Sequence, residues 1–270
     1  MEILISFIIP FIILLTVVVF IHEYGHYYYA KKYGVGVTDF SIGFGKEIFG
    51  FNDKSGTRWK FCLIPLGGYV KFFGDRNVFS QAEQAELLKK YSEEDQKKLF
   101  VVKPLYQRSL IVAAGPFANF LLAILIFAFI YMFAGKDFTP AQIQEVQPDS
   151  PAYEVGIKSG DIIKSINDKE VKSIMEVSAF INSSSSNIID IGILRNDNEL
   201  NFSVEPKVIK SEDALGNKAN KKIIGIKIAP LNEEINRQRL GPATALFYAI
   251  KETWFVIDAS WNFIISMFKG

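Results

Sequence analysis

Apolar residues crowd into two long runs and are spaced out elsewhere, and that contrast divides the chain. From Ile3 to Ile21, 19 consecutive residues carry no charge, and the apolar character continues through Tyr27-Tyr28-Tyr29-Ala30 to the basic pair Lys31-Lys32. A second run covers Ser109 to Ala134. Each exceeds the ~20 residues a helix needs to cross the hydrocarbon core, which predicts transmembrane helices over residues 1–32 and 109–135. The first run does not read as a signal peptide, because it lacks a basic start and leads into His22 and Glu23 instead of a small-residue cleavage site.

Between the two runs, Phe40-Ser41-Ile42-Gly43-Phe44-Gly45 and the stretch Arg58 to Phe72 are aromatic, β-branched and punctuated by glycine. That pattern predicts strands and tight turns within residues 33–108, in a hairpin that either dips into the membrane interface or stands as a small soluble hairpin, composition alone favouring neither. Residues 77–103, rich in Gln, Glu, Ala and Lys, predict a polar surface helix. After Lys136 come short β-type runs, Ile143–Val146, Ile162–Ile166, Ile188–Leu194, Leu200–Val204 and Ile223–Ile228, split by turn signals such as Asn167-Asp168 and Asn196-Asp197-Asn198. With helical stretches near Ala152–Gly156 and Ser173–Asn182, they predict a small β-rich domain over residues 138–230. Glu205 to Lys222 reads as a mobile polar excursion from it. Residues 240–270 mix Trp254, Trp261 and several Phe with Lys251, Glu252 and Asp258, which predicts an amphipathic helix lying on the membrane.

Charge orients these pieces. Residues 31–108 hold 14 Lys/Arg against 9 Asp/Glu, whereas residues 136–270 hold 16 against 18. Lys31, Lys32, Lys103 and Arg108 flank the spans on the side of the connecting segment, so the positive-inside rule makes residues 31–108 cytoplasmic. The N-terminus and the β-rich domain then lie across the membrane. A net charge of +1 gives no case for a nucleic-acid partner, and the single cysteine, Cys62, cannot form an internal disulfide.

The candidate chemistry sits where the first span ends. His22-Glu23-Tyr24-Gly25-His26 holds the only two histidines of the chain. On a helix, residues i and i+4 share a face, so both imidazoles can hold one Zn²⁺ while Glu23 takes a proton from a water on the metal. The bland alternative is a pair of histidines satisfied by hydrogen bonds to other helices. Ionisable groups inside a span are costly and usually functional, which favours the metal reading. In the second span, Asn119 is a polar group in apolar surroundings. It is either helix–helix glue or a residue facing the metal cavity, and the neighbouring Gly115 and alanines permit close helix approach.

Five separated motifs, taken together, resemble the site-2 protease family of intramembrane zinc metalloproteases, and in particular its bacterial branch that acts on anti-sigma factors. They are His22-Glu23-Tyr24-Gly25-His26, Phe40-Ser41-Ile42-Gly43-Phe44-Gly45, Ile64-Pro65-Leu66-Gly67-Gly68-Tyr69-Val70-Lys71 and Ala114-Gly115-Pro116-Phe117-Ala118-Asn119-Phe120. The fifth is Ser150-Pro151-Ala152 with Gly156, Gly160-Asp161-Ile162-Ile163 and Ile166-Asn167, which looks like the core of a PDZ domain.

The resemblance implies a membrane protein with an α-helical transmembrane core, a cytoplasmic or interfacial β-hairpin and a periplasmic β-rich PDZ-like domain. It implies His22 and His26 as zinc ligands, Glu23 as general base, and a hairpin around Gly43 and Gly45 that helps present substrate beside Asn119. The implied setting is the bacterial inner membrane, crossed more than once. The implied partners are the lipid bilayer, membrane-protein substrates with a single span (trimmed anti-sigma factors, signal-peptide remnants) and peptide ends at the PDZ-like domain. The family's third zinc ligand is an aspartate in a Leu-Asp-Gly motif on a later span. Neither Asp258 in Val256-Ile257-Asp258-Ala259-Ser260 nor Asp213 in Asp213-Ala214-Leu215-Gly216 matches it. The expectation is therefore an N-terminal part of a longer protease, inactive by itself. Two alternatives are a membrane metalloprotease of another class with a Glu as third ligand, and a non-catalytic membrane-anchored protein whose PDZ-like domain captures peptides by strand addition.

Overall fold

The computed structural model describes residues 4–74, 90–184, 186–212, 218–230 and 235–269. The chain divides into two compact units, Met1–Ala123 and Ile124–Gly270.

In the first unit, a single π-helical turn (Leu4–Ile8) leads into helix α1 (Ile9–Lys32). The apolar helical stretch Ile5–Lys32 is 28 residues long, about 42 Å at the usual helical rise and so longer than the ~30 Å hydrocarbon core. Lys31 and Lys32 in its last turn complement the negative end of the helix dipole. Gly34, at φ +67°, then turns the chain, and the Val35 N–H returns to the Ala30 carbonyl at 2.8 Å to close the helix end.

Strands β1 (Val37–Asn52) and β2 (Arg58–Phe72) follow as one long antiparallel hairpin. Both strands bend midway, so Phe40 is partnered by both Trp59 and Val70, and Trp59 by both Phe40 and Phe51. The base of the hairpin packs on the end of α1, where Ala30, Val35, Val37 and Ile111 are buried together. Farther out, Ile48, Phe49, Leu63 and Leu66 stand exposed.

Of the polar helix expected over 77–103, residues 77–89 lie outside the described residues. The remainder is not one helix. Ser92 caps a single turn, α2 (Glu93–Gln96), and Phe100–Val102 form a 3-10 turn. Leu99, only 1% exposed, lies between them in an extended conformation, so burying one apolar side chain pulls the chain out of the helix. Helix α3 (Leu105–Phe133) is 29 residues long with Pro116 inside it, again long and apolar enough to cross a membrane.

The second unit takes the end of α3 and then a short strand β3 (Lys136–Asp137). Next come β4 (Ala141–Val146), α4 (Pro151–Glu154), β5 (Ile162–Ile166), β6 (Lys169–Glu170) and α5 (Ile174–Ser183). Strands β7 (Ile189–Arg195), β8 (Asn198–Val204), β9 (Lys207–Glu212), β10 (Lys218–Ile223), β11 (Ile226–Pro230) and β12 (Arg237–Gln238) follow, and the last helix is α6 (Pro242–Lys269).

The main sheet runs β11-β4-β5-β7-β8, with β6 paired to β5. Ile189, Ile191 and Ile193 alternate onto its inner face and meet Val177, Phe180 and Ile181 of α5 in one buried core. Two expectations are corrected here. Within Glu205–Lys222, whose residues 213–217 lie outside the described residues, β9 and β10 pair as an antiparallel ribbon held by ladder hydrogen bonds and not by an apolar pattern. Ile223–Ile228 is not one strand. Ile224 is buried in the core and Gly225 sits at φ +80°, so β10 stops at Ile223 and β11 starts at Ile226 with a different partner.

One face of α6 is committed to the protein. Ala245 and Ala249 pack on Ala128 and Tyr131 of α3, and Phe255 meets Phe180 edge-on at 5.3 Å between ring centroids. Buried Lys136 pairs with Glu252 at 2.6 Å, and the Tyr131 hydroxyl donates to the same carboxylate at 2.9 Å. Phe247, Ile250, Trp254 and Trp261 of α6 remain exposed.

Candidate metal centre

The i, i+4 spacing on α1 sets His22 and His26 on one face, with ring centroids 4.8 Å apart and the two Nε2 atoms 3.2 Å apart. That face meets α3 at close range. A Cβ on Gly25 would overlap the Ala114 carbonyl oxygen, so only glycine lets the two backbones approach here. Pro116 lacks the N–H that would continue the helix ladder.

The outer nitrogens of both rings are held. His26 Nδ1 lies 2.8 Å from the Ile111 carbonyl oxygen. A carbonyl can only accept, so Nδ1 carries the proton and Nε2 keeps its lone pair. His22 Nδ1 lies 3.2 Å from the Asn119 amide nitrogen, and Asn119 Oδ1 is buried with no partner in that orientation. Amide oxygen and nitrogen are assigned from the hydrogen-bond network. Turning the amide over brings Oδ1 onto the His22 Nδ1–H and frees the second Nε2 lone pair as well.

In that arrangement the two Nε2 lone pairs face each other at 3.2 Å and repel unless a cation joins them. The spacing matches the ~3.3 Å expected between two nitrogens held ~2.0–2.1 Å from a tetrahedral zinc. The space is kept open by Gly115, where a Cβ would overlap His26 Nε2 and come within 2.8 Å of His22 Nε2. The residues therefore fit a zinc ion. Among the described residues, no third His, Cys, Asp or Glu completes a group of three.

Glu23 lies beside the pair. It lines an open cleft of about 220 Å³ together with His26, Val70, Phe72, Ile111 and Val112, and its carboxylate is hydrogen-bonded by the backbone of Val70. Of the other sequence candidates, Asn119 is brought to His22. Gly43 and Gly45 sit in the bend of β1 at φ +86° and +84°, and their nearest neighbours are Cys62 and Ile64. Asp258 pairs with Lys169 at 2.6 Å, and Asp213 lies outside the described residues. The Ile111 carbonyl and the Val70 backbone were not legible beforehand, since backbone groups leave no mark in a sequence.

Convergent imidazoles with a carboxylate alongside, carried by membrane-length helices, define a membrane metallopeptidase. The chain belongs to Peptidase family M50, the site-2 protease family, whose profile matches residues 10–270. A Mesorhizobium japonicum protein assigned by name as a zinc metalloprotease is 39% identical over 95% of this chain and 70% of its own length. A Rickettsia conorii protein with the same kind of name is 41% identical over 97% of this chain and 71% of its own. Part of the chain is also similar to a solved PDZ domain, that of the SdrC-like protein of Listeria monocytogenes. That likeness covers 34% of this chain and 88% of that domain, at 23% identity and a TM-score of 0.27.

Proposed function

We propose that this metallopeptidase cleaves transmembrane segments of membrane proteins, with His22 and His26 as two zinc ligands and Glu23 as general base. The observation that carries the reading is the pair of Nε2 atoms 3.2 Å apart in the cradle left by Gly115, beside Glu23. When bound, zinc supplies a Lewis acid for the scissile carbonyl and lowers the pKa of water toward ~7. The carboxylate of Glu23 takes the proton of the attacking water and hands it to the leaving amine. Ile111 and Asn119 fix the tautomers of the two imidazoles. The apolar walls from Val70, Phe72, Ile111 and Val112 limit the water around the carboxylate.

Among the described residues, His22 and His26 are the two side chains that could ligate the ion. The substrate is a single-span helix that has lost helicity locally, because an intact helix keeps its carbonyls paired. Trimmed anti-sigma factors and signal-peptide remnants have that character. Lys31, Lys32, Lys103 and Arg108 support a cytoplasmic placement of the hairpin, where Gly43 and Gly45 shape a substrate-facing edge, and a periplasmic placement of the β-rich domain in the bacterial inner membrane. The Gly160-Asp161 turn leading into β5, braced by Arg195 on Asp161 at 2.7 Å, supports a PDZ-like role for that domain in taking peptide ends. A purely peptide-binding protein would leave the converging imidazoles without a use.

The test is Glu23→Gln in the full-length protein, assayed in proteoliposomes on a single-span substrate. Zinc is expected to stay and cleavage to be lost. Retained cleavage would refute the base assignment.

A further inference from the structure

The hairpin turn is tied to the catalytic helix by one carboxylate. Asp53 Oδ1 accepts from the Ser55 N–H (2.8 Å), the Ser55 hydroxyl (2.7 Å) and the Thr57 N–H (2.9 Å). Those bonds are local and would suffice to cap the turn. The second oxygen does something else. Asp53 Oδ2 accepts from the hydroxyl of Tyr27, one residue beyond His26, at 2.7 Å, and from Trp59 Nε1 at 3.2 Å. Lys31 Nζ reaches Thr57 Oγ1 at 3.4 Å, and Thr57, fully buried, donates to the Val37 carbonyl at 2.9 Å. Phe40 stacks on Trp59 at 4.2 Å, and Tyr27 meets both rings edge-on at 5.7 and 5.2 Å. Burial raises the Asp53 pKa, but the hydrogen bonds from Ser55, Tyr27, Thr57 and Trp59 outweigh it and hold the carboxyl well below the usual carboxylate range. The anchor is therefore charged at neutral pH.

A second contact lies along the same ridge of α1. Val19, Glu23, Tyr27 and Lys31 follow one another at i+4. A Cβ on Gly68 would meet the Ser41 carbonyl at 2.6 Å, Val19 Cγ1 at 2.8 Å and Glu23 Cγ at 3.1 Å, so β2 lies hard against Glu23. Two residues on, Val70 supplies the backbone bond to the Glu23 carboxylate. Helix α1 thus shows His22 and His26 to α3 and Glu23 to the hairpin.

We propose that Asp53 is a positioning residue for Glu23: by holding Tyr27 and Trp59 it seats the hairpin on α1 and so aims the general base, without acting on the zinc ligands. This rests on the reading of Glu23 as base.

The test compares Asp53→Asn, Tyr27→Phe and the double variant of the full-length protein in proteoliposomes. Three quantities are measured: kcat and KM on a single-span substrate, zinc affinity by chelator competition, and hydrogen exchange of the amides of residues 53–59. The account expects kcat to fall roughly 10- to 100-fold in Asp53→Asn and less in Tyr27→Phe. KM and zinc affinity should stay within about twofold, and exchange at the turn should quicken at least ~10-fold. The double variant should be no worse than Asp53→Asn, as expected of two partners in one contact. Unchanged kcat, zinc lost together with kcat, or additive losses would each overturn the proposal. If the unmodified protein cleaves nothing, the protease reading fails. The latch is then judged on its own, sustained by quicker exchange with zinc affinity kept and overturned by unchanged exchange.

Discussion

In the β-rich unit, Ile143, Ile163, Ile166, Ile189 and Val204 are fully or almost fully buried, and Asp161, a charge buried as deeply, is paired with Arg195 at the end of β7. In the helical unit, large apolar side chains such as Phe11, Leu14, Phe117 and Leu121 stand more than half exposed, while His22, His26 and Asn119 turn toward the α1–α3 contact and Glu23 toward the hairpin. Each arrangement suits its solvent. Water drives the isoleucines of the sheet together, whereas a lipid-facing helix gains nothing by hiding its leucines and phenylalanines and much by pairing its polar groups. The difference teaches where chemistry can be kept. Polar atoms facing inward, with close backbone approach at Gly25 and Gly115 in place of bulky packing, leave room for an ion and a water.

The sharpest way to break the comparison is Gly115→Val. The added side chain enters the space between the two Nε2 atoms. Zinc binding should be abolished and cleavage should fall at least ~1,000-fold. The unfolding transition of the β-rich unit, followed by differential scanning calorimetry, should not move, because Gly115 belongs to the other unit.

Next in size is Glu252→Gln, which strips buried Lys136 of its partner. Removing one member of a buried pair costs roughly 3–5 kcal/mol. Urea unfolding of the Ile124–Gly270 unit should show that loss, and Lys136→Met in the same chain should recover most of it.

The smallest expected effect is a pH dependence at Glu176. Burial raises its pKa, as does the nearby Glu252 carboxylate, against the Lys172 backbone N–H and the Lys136 charge. A carboxyl whose folded pKa lies above its unfolded value of ~4.3 stabilises fully below that value. The contribution is lost as pH rises through the folded pKa. Glu176→Gln should therefore leave stability at low pH unchanged and raise it at neutral pH, with the Lys172 N–H still accepted by the amide oxygen. Equal gains at both pH values would contradict the linkage.

How much of this was legible beforehand follows the same division. The two membrane-length helices could be read because no charge interrupts Ile3–Ile21 or Ser109–Ala134, and Ile162–Ile166 was read to the residue because its apolar side chains are bounded by clear turn signals. The β9–β10 ribbon was not, since Lys, Asn and Ser alternate there without an apolar face and the pairing is made by backbone hydrogen bonds. The break at Ile224-Gly225 hid inside a run that looks like one strand. At the site, spacing alone put His22 beside His26, and Asn119 stood out as polar in an apolar run. Asp53 did not stand out. Asn52-Asp53-Lys54-Ser55-Gly56 reads as an ordinary turn, and nothing local shows that its second oxygen holds a tyrosine 26 positions earlier.

The central claim is that His22 and His26 hold a zinc ion which Glu23 serves without ligating. Metal content of the purified full-length protein and of His26→Ala and Glu23→Gln tests it most directly. The account predicts about one zinc per chain in the unmodified protein and in Glu23→Gln, and far less in His26→Ala. A full complement of zinc in His26→Ala, or none in Glu23→Gln, would contradict it.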